Sequence, residues 1–353
     1  MSPTGRPEGE RRSAQHEGSP VSPTGRPEGE RRSAQHEGSP VSPIVRVAAA
    51  VILRADGDVL LAQRPPGKAC AGYWEFPGGK LEPGETSAQA LARELHEELG
   101  IVVRRASPWL SQEFVYPHAH VEIDFFRVFA WDGEPAGHDG QALAWQDTRA
   151  IDVAPLLPAN TRVLAALTLP SIYGISCADD LGEEVFLARA ARALDAGLRL
   201  IQLREKAWDA PRRAVFAARL NTLAAAHGAR VLLNGDADEA RQLGCAGVHW
   251  TAERLATAGS RPRDLMVGAS CHTRADLERA AALDLDLAVL GPVRATPTHP
   301  QAAPLGWDGF ERIAAGTRVP VYALGGLTRD DLEATTMHGA HGIALRRAAW
   351  PGP

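Results

Sequence analysis

The stretch Gly79-Lys-Leu-Glu-Pro-Gly-Glu85 is followed, after seven residues, by Arg93-Glu-Leu-His-Glu-Glu-Leu-Gly-Ile101. A helix through the second segment places Glu94, Glu97 and Glu98 at positions i, i+3 and i+4, which share one helix face. Three carboxylates on one face repel each other unless a cation lies between them. The segment therefore predicts either a cation site or an acidic helix face exposed to solvent.

The neighbouring residues predict where this helix begins and ends. Thr86 is a suitable N-cap, and Gly100 is a suitable C-terminal stop. An apolar stripe that can face a core is formed by Ala88, Leu91, Leu95 and Leu99. Gly78 and Gly79 lack a Cβ, so a backbone carbonyl there can approach a bound ion closely.

The full spacing of the acidic segment separates the two interpretations. Clustered carboxylates suit Mg²⁺, or Mn²⁺, and both ions also bind substrate phosphates. A solvated helix face would instead carry i,i+4 pairs such as Arg93 with Glu97. The pattern GX5EX7REUXEEXGU, with U an aliphatic residue, is complete in residues 79–101. Its seven fixed residues would match by chance on the order of once in 10⁸–10⁹ starts, at ~6% usage per residue type. The spacing favours the cation site.

This sequence resembles the Nudix hydrolase family, and residues 45–169 resemble its MutT-type 8-oxo-dGTP diphosphatases. Three further stretches carry the second resemblance: Trp74–Lys80, Trp131–Gln141 with Trp145 after it, and Leu157–Asn160. The resemblance implies an α+β Nudix fold, with a mixed sheet between helices, over residues 44–169. It also implies Mg-dependent hydrolysis of a nucleoside triphosphate, here 8-oxo-dGTP to 8-oxo-dGMP and pyrophosphate, which protects replication and serves DNA repair.

The resemblance implies metal-binding, catalytic and substrate-binding residues in this half. The implied metal ligands are Gly79, Glu94, Glu97 and Glu98. The three glutamates also belong to the implied catalytic set, which adds Arg93 and Asp139, and Glu85 would support the loop or the metal network. The implied substrate-binding residues are Arg64, Phe76 and Asn160. Ala119 stands where this group can carry another arginine, so one purine contact is absent.

Two of these residues also have plausible structural roles. The Asn160 amide offers a donor and an acceptor, so it can pair with the O6 acceptor and the N7–H donor of 8-oxoguanine. Ordinary guanine presents an acceptor at N7, so this pairing discriminates between the two bases. Asn160 could instead be a helix N-cap after Pro158, and Asp139 could be a turn residue before Gly140.

After about Ser171 the pattern of the sequence changes. Eight short apolar runs, from IYGIS at 172–176 to HGIAL at 341–345, recur along the chain. Most of them are separated by Ala/Leu/Arg-rich stretches of helical length. This alternation predicts an α/β fold, a (β/α)8 TIM barrel, over residues 170–353.

Residues 171–349 resemble thiamine-phosphate synthase and its relative, the thiazole tautomerase. The stretches that carry this resemblance are Gln202–Lys206, Leu233-Asn234, Gly247–His249, Gly268–Thr273, Gly291–Thr298, Pro304–Gly306 and Ala323–Gly326. The resemblance implies that Arg204 and Lys206 lie beside a phosphate or pyrophosphate. The backbone amides of Gly325 and Gly326 would cradle a phosphate.

Several positions depart from the synthase pattern. Gly235 and Arg254 stand where two acidic metal ligands are expected, although Asp236 lies one residue from the first position. His299 replaces a lysine, and Arg346-Arg347 follow the last strand, where small residues are usual. We therefore predict a degenerate barrel that binds a phosphorylated small molecule. The alternatives are a bifunctional enzyme with thiamine-phosphate synthase activity in thiamine biosynthesis, a regulatory ligand-binding module and a structural partner domain.

The composition limits the other classes of partner. The 353 residues carry a formal net charge of −5, which does not favour a nucleic acid polymer or an anionic membrane. No run approaches the ~18 apolar residues of a membrane-spanning helix, and the start has no apolar signal-peptide core. Four widely spaced cysteines predict reduced thiols and a cytoplasmic location.

Residues 1–43 contain a tandem repeat, in which Ser2–Val21 and Ser22–Val41 are identical. The repeat is rich in Arg, Glu, Gly and Pro and has few apolar residues, so it cannot bury enough surface to offset its ordering entropy. A disordered tail is therefore predicted. Whether it is an interaction segment or inert duplicated chain stays open.

Overall fold

The computed structural model of the protein describes residues 44–117, 119–296 and 303–352. The predicted tail of residues 1–43 lies outside the described residues, as does His299. The described residues all belong to one compact unit. Among the described residues, no helix is both long and apolar enough to span a bilayer.

The first half of this unit contains two sheets and two helices. Its elements are β1 (Val45–Ile52), β2 (Val59–Gln63), β3 (Trp74–Glu75), β4 (Gly78–Lys80), α1 (Ser87–Leu99), β5 (Val102–Tyr116), β6 (Ala119–Asp132), β7 (Leu143–Gln146) and α2 (Pro158–Leu167). One sheet has the order β4-β1-β6-β5, and the other has the order β3-β2-β7. The first sheet is mixed, because β1 is antiparallel to β4 and parallel to β6.

Strand β1 lies between two cores, because alternate side chains of a strand point to opposite faces of the sheet. Ala50 and Ile52 pack in the same core as Leu95 of α1. On the opposite face, Val51 packs in the same core as Val163 of α2. The sheet is thus enclosed by α1 and α2, which confirms the predicted mixed sheet between helices.

Helix α1 has the predicted caps. The Thr86 hydroxyl accepts a hydrogen bond from the Gln89 backbone N–H at 3.3 Å, and the Gln89 side chain accepts one from the Thr86 N–H at 2.9 Å. Gly100 ends the helix with a φ of 68°, in the left-handed region that favours glycine. One part of the predicted stripe was wrong: Ala88 is exposed, and Ala90 is buried instead. The first helical turn therefore lies at the margin of the core.

The second half is a closed barrel, which confirms the predicted (β/α)8 architecture. Its strands are β8 (Ile172–Ile175), β9 (Leu200–Leu203), β10 (Arg230–Asn234), β11 (Gly247–Trp250), β12 (Met266–Cys271), β13 (Leu287–Leu290), β14 (Val321–Leu324) and β15 (Gly342–Leu345). Its helices are α3 (Ala178–Leu181), α4 (Glu183–Asp195), α5 (Ala210–Ala226), α6 (Ala237–Gln242), α7 (Ala252–Thr257), α8 (Arg274–Ala282), α9 (Gly306–Ala314) and α10 (Leu332–Met337). Successive strands are parallel, and β15 pairs with β8 to close the barrel.

The N-terminal ends of the barrel strands pack against β5 and β6. Ser111 of β5 donates its backbone N–H to the Thr317 carbonyl at 2.8 Å, and Thr317 precedes β14. Arg127 of β6 donates to the His341 carbonyl at 3.0 Å, directly before β15. The mouth of the barrel, at the opposite ends of the strands, therefore faces away from the first half. Barrel enzymes carry their active sites at that mouth.

Candidate active site

The first half contains a cavity of about 530 Å³ beside the acidic face of α1. Gly79 of β4 and two α1 carboxylates, Glu94 and Glu98, line it. Arg64 and Glu75 are also among its lining residues. The cavity therefore combines two carboxylates of the helix with the oppositely charged side chains of Arg64 and Glu75.

Glu94 lies against the backbone of β4. A Cβ atom built on Gly79 would come within 2.2 Å of the Glu94 carboxyl carbon, so any other residue at this position would displace the Glu94 side chain. The neighbouring Gly78 donates its backbone N–H to Glu98. The two glycines thus permit and fix the approach of the helix carboxylates to the strand.

The Glu98 carboxyl is held in an environment that disfavours its charge. Burial raises the pKa of Glu98 and repulsion from Glu94 acts in the same direction, while Lys68 partly offsets both. The Lys68 ammonium lies 3.6 Å from Glu98 and 3.1 Å from Asp139. Lys68 therefore links Asp139 to Glu98. Asp139 lies in a turn, as its residue type favours.

Arg93 organises the remaining carboxylates. Its guanidinium lies 2.8 Å from Glu85, 3.0 Å from Glu94 and 3.2 Å from Glu97. The hydrogen bonds from Arg93 lower the pKa of Glu85 to about 2. Glu97 does not line the cavity, and 59% of its side chain is exposed. Of the three predicted carboxylates, only Glu94 and Glu98 therefore line the cavity, while Glu97 pairs with Arg93.

The donor chemistry at this cavity suits a hard divalent cation. Among the described residues, no three acidic, His or Cys side chains form a ready ligand cluster. Glu94 and Glu98 nevertheless share the cavity, and the glycine at position 79 lets the Glu94 carboxylate lie close to the strand backbone. Two carboxylates beside a backbone carbonyl suit an ion that completes its shell with substrate phosphates and water. Metal binding by Gly79, Glu94, Glu97 and Glu98 stays a prediction.

The lining of the cavity also includes an ion pair between Arg64 and Glu75. The Arg64 guanidinium lies 2.6 Å from the Glu75 carboxylate. Burial nevertheless raises the pKa of Glu75 to about 7, although Arg64 opposes this shift. Sequence reasoning missed Glu75 and Lys68 as charged groups of the site. Glu75 lies in the Trp74–Lys80 stretch that carried the resemblance, which was a usable signal, whereas Lys68 had none.

Asn160 and Phe76 are buried and do not line the cavity. Phe76 packs edge-on against Phe125, with the ring centroids 5.7 Å apart. Asn160 is not the N-cap of α2, because that position is Leu157. Its buried Nδ2 has no hydrogen-bond partner among the described residues. A buried amide without a partner requires an explanation, of which an absent ligand is one. Both substrate contacts stay predictions.

A second cavity, of about 520 Å³, opens at the barrel mouth. All four substrate-binding residues predicted in this half line it: Arg204, Lys206, Gly325 and Gly326. His249 also lines it, and its ring nitrogens form hydrogen bonds with the hydroxyls of Tyr173 at 3.3 Å and Ser270 at 3.1 Å. Burial lowers the pKa of His249 to about 3, and the positive charge of Arg204 adds to the shift.

Family comparisons account for both halves of the chain. Residues 48–166 match the NUDIX domain model, and residues 172–349 match the thiamine monophosphate synthase model. The 8-oxo-dGTP diphosphatase of Haemophilus influenzae is 41% identical over 124 residues, which are 35% of this chain and 91% of that protein. The thiamine-phosphate synthase of Thioalkalivibrio sulfidiphilus is 32% identical over 189 residues, which are 52% of this chain and 90% of that protein. The chain belongs to both families.

The Nudix domain also has relatives of other specificity. The CTP pyrophosphohydrolase of Escherichia coli is 40% identical over 123 residues, which are 35% of this chain and 90% of that protein. The predictions of a Nudix hydrolase enzyme and of a fused synthase-family barrel are confirmed. Because relatives with different names match the same residues at similar identity, the preferred nucleotide of this Nudix domain is a separate question.

Proposed function

We propose that the Nudix domain hydrolyses a nucleoside triphosphate to a nucleoside monophosphate and pyrophosphate in the cytoplasm, with 8-oxo-dGTP as its preferred substrate. The observation that carries this proposal is the placement of Glu94 and Glu98 in one cavity against Gly79. Two relatives of this domain are named as an 8-oxo-dGTP diphosphatase and a CTP pyrophosphohydrolase, and these names support the class of reaction. The described cysteines are all free, which agrees with a reducing compartment.

The chain's own residues would bind and orient the triphosphate. Its roughly four negative charges cannot enter a neutral pocket cheaply. Bound Mg²⁺, held by Glu94, Glu98 and the Gly79 carbonyl, would supply charge neutralisation and acidify a water molecule. Arg93 keeps the carboxylates in place. Glu98 or Asp139 would accept the proton of the attacking water as its oxygen bonds to phosphorus and the bridging P–O bond breaks.

A nucleotide panel tests the proposal. Pyrophosphate release is measured for 8-oxo-dGTP, dGTP and CTP, with Mg²⁺, with Mn²⁺ and with excess EDTA. We expect 8-oxo-dGTP to give the highest kcat/KM and EDTA to abolish release. A higher kcat/KM for CTP would contradict the substrate, whereas equal release in EDTA would contradict the mechanism.

Replacement of Asn160 separates specificity from chemistry. Because its Nδ2 lacks a partner in the described structure, we expect Asn160→Ala to lower kcat/KM for 8-oxo-dGTP by about 1–3 kcal/mol. The value for dGTP should change much less. Steady-state kinetics on both nucleotides checks this, and equal losses on both would assign Asn160 a structural role.

The Glu75 carboxyl predicts a pH-dependent KM. With a pKa raised to about 7, the group is neutral at lower pH and repels the substrate phosphates once it ionises. We expect KM to rise about three- to tenfold between pH 6 and pH 8. In Glu75→Gln this rise should disappear, while titration of the substrate itself remains in both proteins. An identical KM profile in the variant would exclude Glu75 as the cause.

A second candidate function belongs to the barrel, because it matches the synthase family and has a cavity at its mouth. In a bifunctional enzyme the barrel would couple hydroxymethylpyrimidine pyrophosphate to thiazole phosphate. In a regulatory module, a phosphorylated ligand in the barrel would change the hydrolysis rate. Product formation in a coupling assay would support the first, and a ligand-dependent change in pyrophosphate release would support the second.

A further inference from the structure

The barrel cavity has a wall of positive charge. Its lining residues include Arg204, Lys206, Arg346 and Arg347. No aspartate or glutamate is among the lining residues that the structure describes. Other parts of the lining are apolar and include Ile175, Val289 and Leu345. The cavity therefore offers cations for an anionic group and an uncharged surface for an organic group.

The carboxylates near the mouth are committed to structural contacts. Asp236 caps α6 by accepting the backbone N–H of Asp238 at 2.8 Å. Glu205 accepts from Ser176 at 2.5 Å and from the Ala178 N–H at 2.8 Å, so it holds the start of α3. Asp180 lies 3.1 Å from Arg346 and 3.0 Å from Arg347. The two acidic metal ligands expected of a synthase therefore have no counterpart on the described cavity wall, and the divalent ion of that family does not fit this mouth.

Three of the cations are incompletely neutralised. Within the described structure, Arg204 and Lys206 form no ion pair, and the buried Nε of Arg346 has no hydrogen-bond partner. Burial lowers the pKa of Arg204 and the neighbouring Arg346 lowers it further. Arg204 in turn lowers the pKa of Lys206. A bound anion would relieve this mutual repulsion and the cost of burying the charges.

We propose that the barrel mouth binds a small organic diphosphate through Arg204, Lys206 and Arg346, without a divalent cation. Arg346 takes over the charge-neutralising part that a metal ion plays in the synthases. Arg346 stands where the synthase family usually has a small residue. This departure from the family pattern therefore supplies a cation that can hold an anion. The site is independent of the Nudix cavity, because the barrel mouth faces away from that domain.

Titration calorimetry of the full chain with inorganic pyrophosphate tests this proposal. We use a Glu94→Gln/Glu98→Gln background, so that the Nudix cavity neither turns over nucleotide nor holds metal. In EDTA we expect binding that weakens at least tenfold in Arg346→Ala and is largely retained in Arg346→Lys, because a charge-assisted hydrogen bond is lost in one and kept in the other. Arg241→Ala, an exposed arginine paired with Asp264 outside the cavity, is the matched control and should bind like the parent.

The proposal would be overturned by no binding in EDTA, by equal binding in Arg346→Ala and the parent, or by binding that Mg²⁺ tightens tenfold in an Arg346-dependent way. Thermal unfolding of each variant shows whether it is folded. If Arg346→Ala does not fold, Arg204→Gln carries the same expectation. Inorganic phosphate in place of pyrophosphate distinguishes a monophosphate site, which would bind both equally, and that result would contradict the diphosphate class.

Discussion

Glu98→Gln and Glu94→Gln should each lower kcat for pyrophosphate release by about 10²–10⁴-fold. Both carboxylates line the cavity beside Gly79, and an amide is isosteric but cannot balance a cation or accept a proton. Burial and the charge of Glu94 already raise the pKa of Glu98, which makes it a better proton acceptor than an exposed glutamate. Initial rates at saturating nucleotide and Mg²⁺, with far-ultraviolet circular dichroism to establish folding, check this expectation.

Glu97→Gln is the matched control on the same helix. Its side chain is largely exposed and bonds to Arg93 outside the cavity, so the loss should be at least tenfold smaller than that of Glu98→Gln. Full activity in Glu94→Gln and Glu98→Gln would exclude the hydrolytic site described above. A loss in Glu97→Gln as large as in Glu98→Gln would instead mean that Glu97 turns inward when metal and substrate bind.

The sequence predicted this helix well because its signals are local. The cap residues Thr86 and Gly100 fix its ends through contacts within a few residues, and the motif spacing fixes the helix face. The spacing offered the pair of Arg93 with Glu97 as one of two interpretations, but it could not show that this pair forms while Glu94 and Glu98 line the cavity. That result depends on the rotation of the helix against the sheet, which is set by packing with β1 and β4.

Long-range contacts limited prediction of the rest of the site. Lys68 and Asp139 are 71 residues apart in sequence and meet only in the fold. Burial, rather than residue type, raises the pKa of Glu75 beside Arg64. In the barrel, the short strands were predicted from their apolar runs, but the contacts of Glu205 with Ser176 and Ala178 join residues 29 and 27 positions apart and depend on the fold.

The junction between the two halves was not predicted at all. Strand β5 runs from Val102 to Tyr116. Its early part contains Ser107 and Ser111, which are buried although polar, because the barrel covers that face. An alternating pattern of apolar and polar residues is the signal of a half-exposed strand. Where a second domain covers the polar face, the pattern no longer tells which residues are exposed.

Arg127→Ala should lower the free energy of unfolding by about 3 kcal/mol. Arg127 is buried at the junction, donates to the carbonyls of Ala340 and His341, and lies over the ring of Trp109 at 5.2 Å. Its removal leaves two buried carbonyls unpaired and opens a cavity. Relief from burying a cation offsets part of this loss, since burial lowers the pKa of Arg127 to about 9. Urea unfolding followed by tryptophan fluorescence measures the difference.

Arg105→Ala tests the same junction at its exposed edge. Arg105 forms an ion pair with Glu333 of the barrel, but both side chains are largely solvent-exposed. Such a pair contributes about 0–1 kcal/mol, so the variant should unfold like the parent protein. If Arg127→Ala also unfolds like the parent, the free energy lost in burying the guanidinium equals the free energy gained from its hydrogen bonds and packing. A loss confined to Arg127→Ala would instead establish that buried hydrogen bonds, and not surface charge, hold the Nudix domain to the N-terminal ends of the barrel strands.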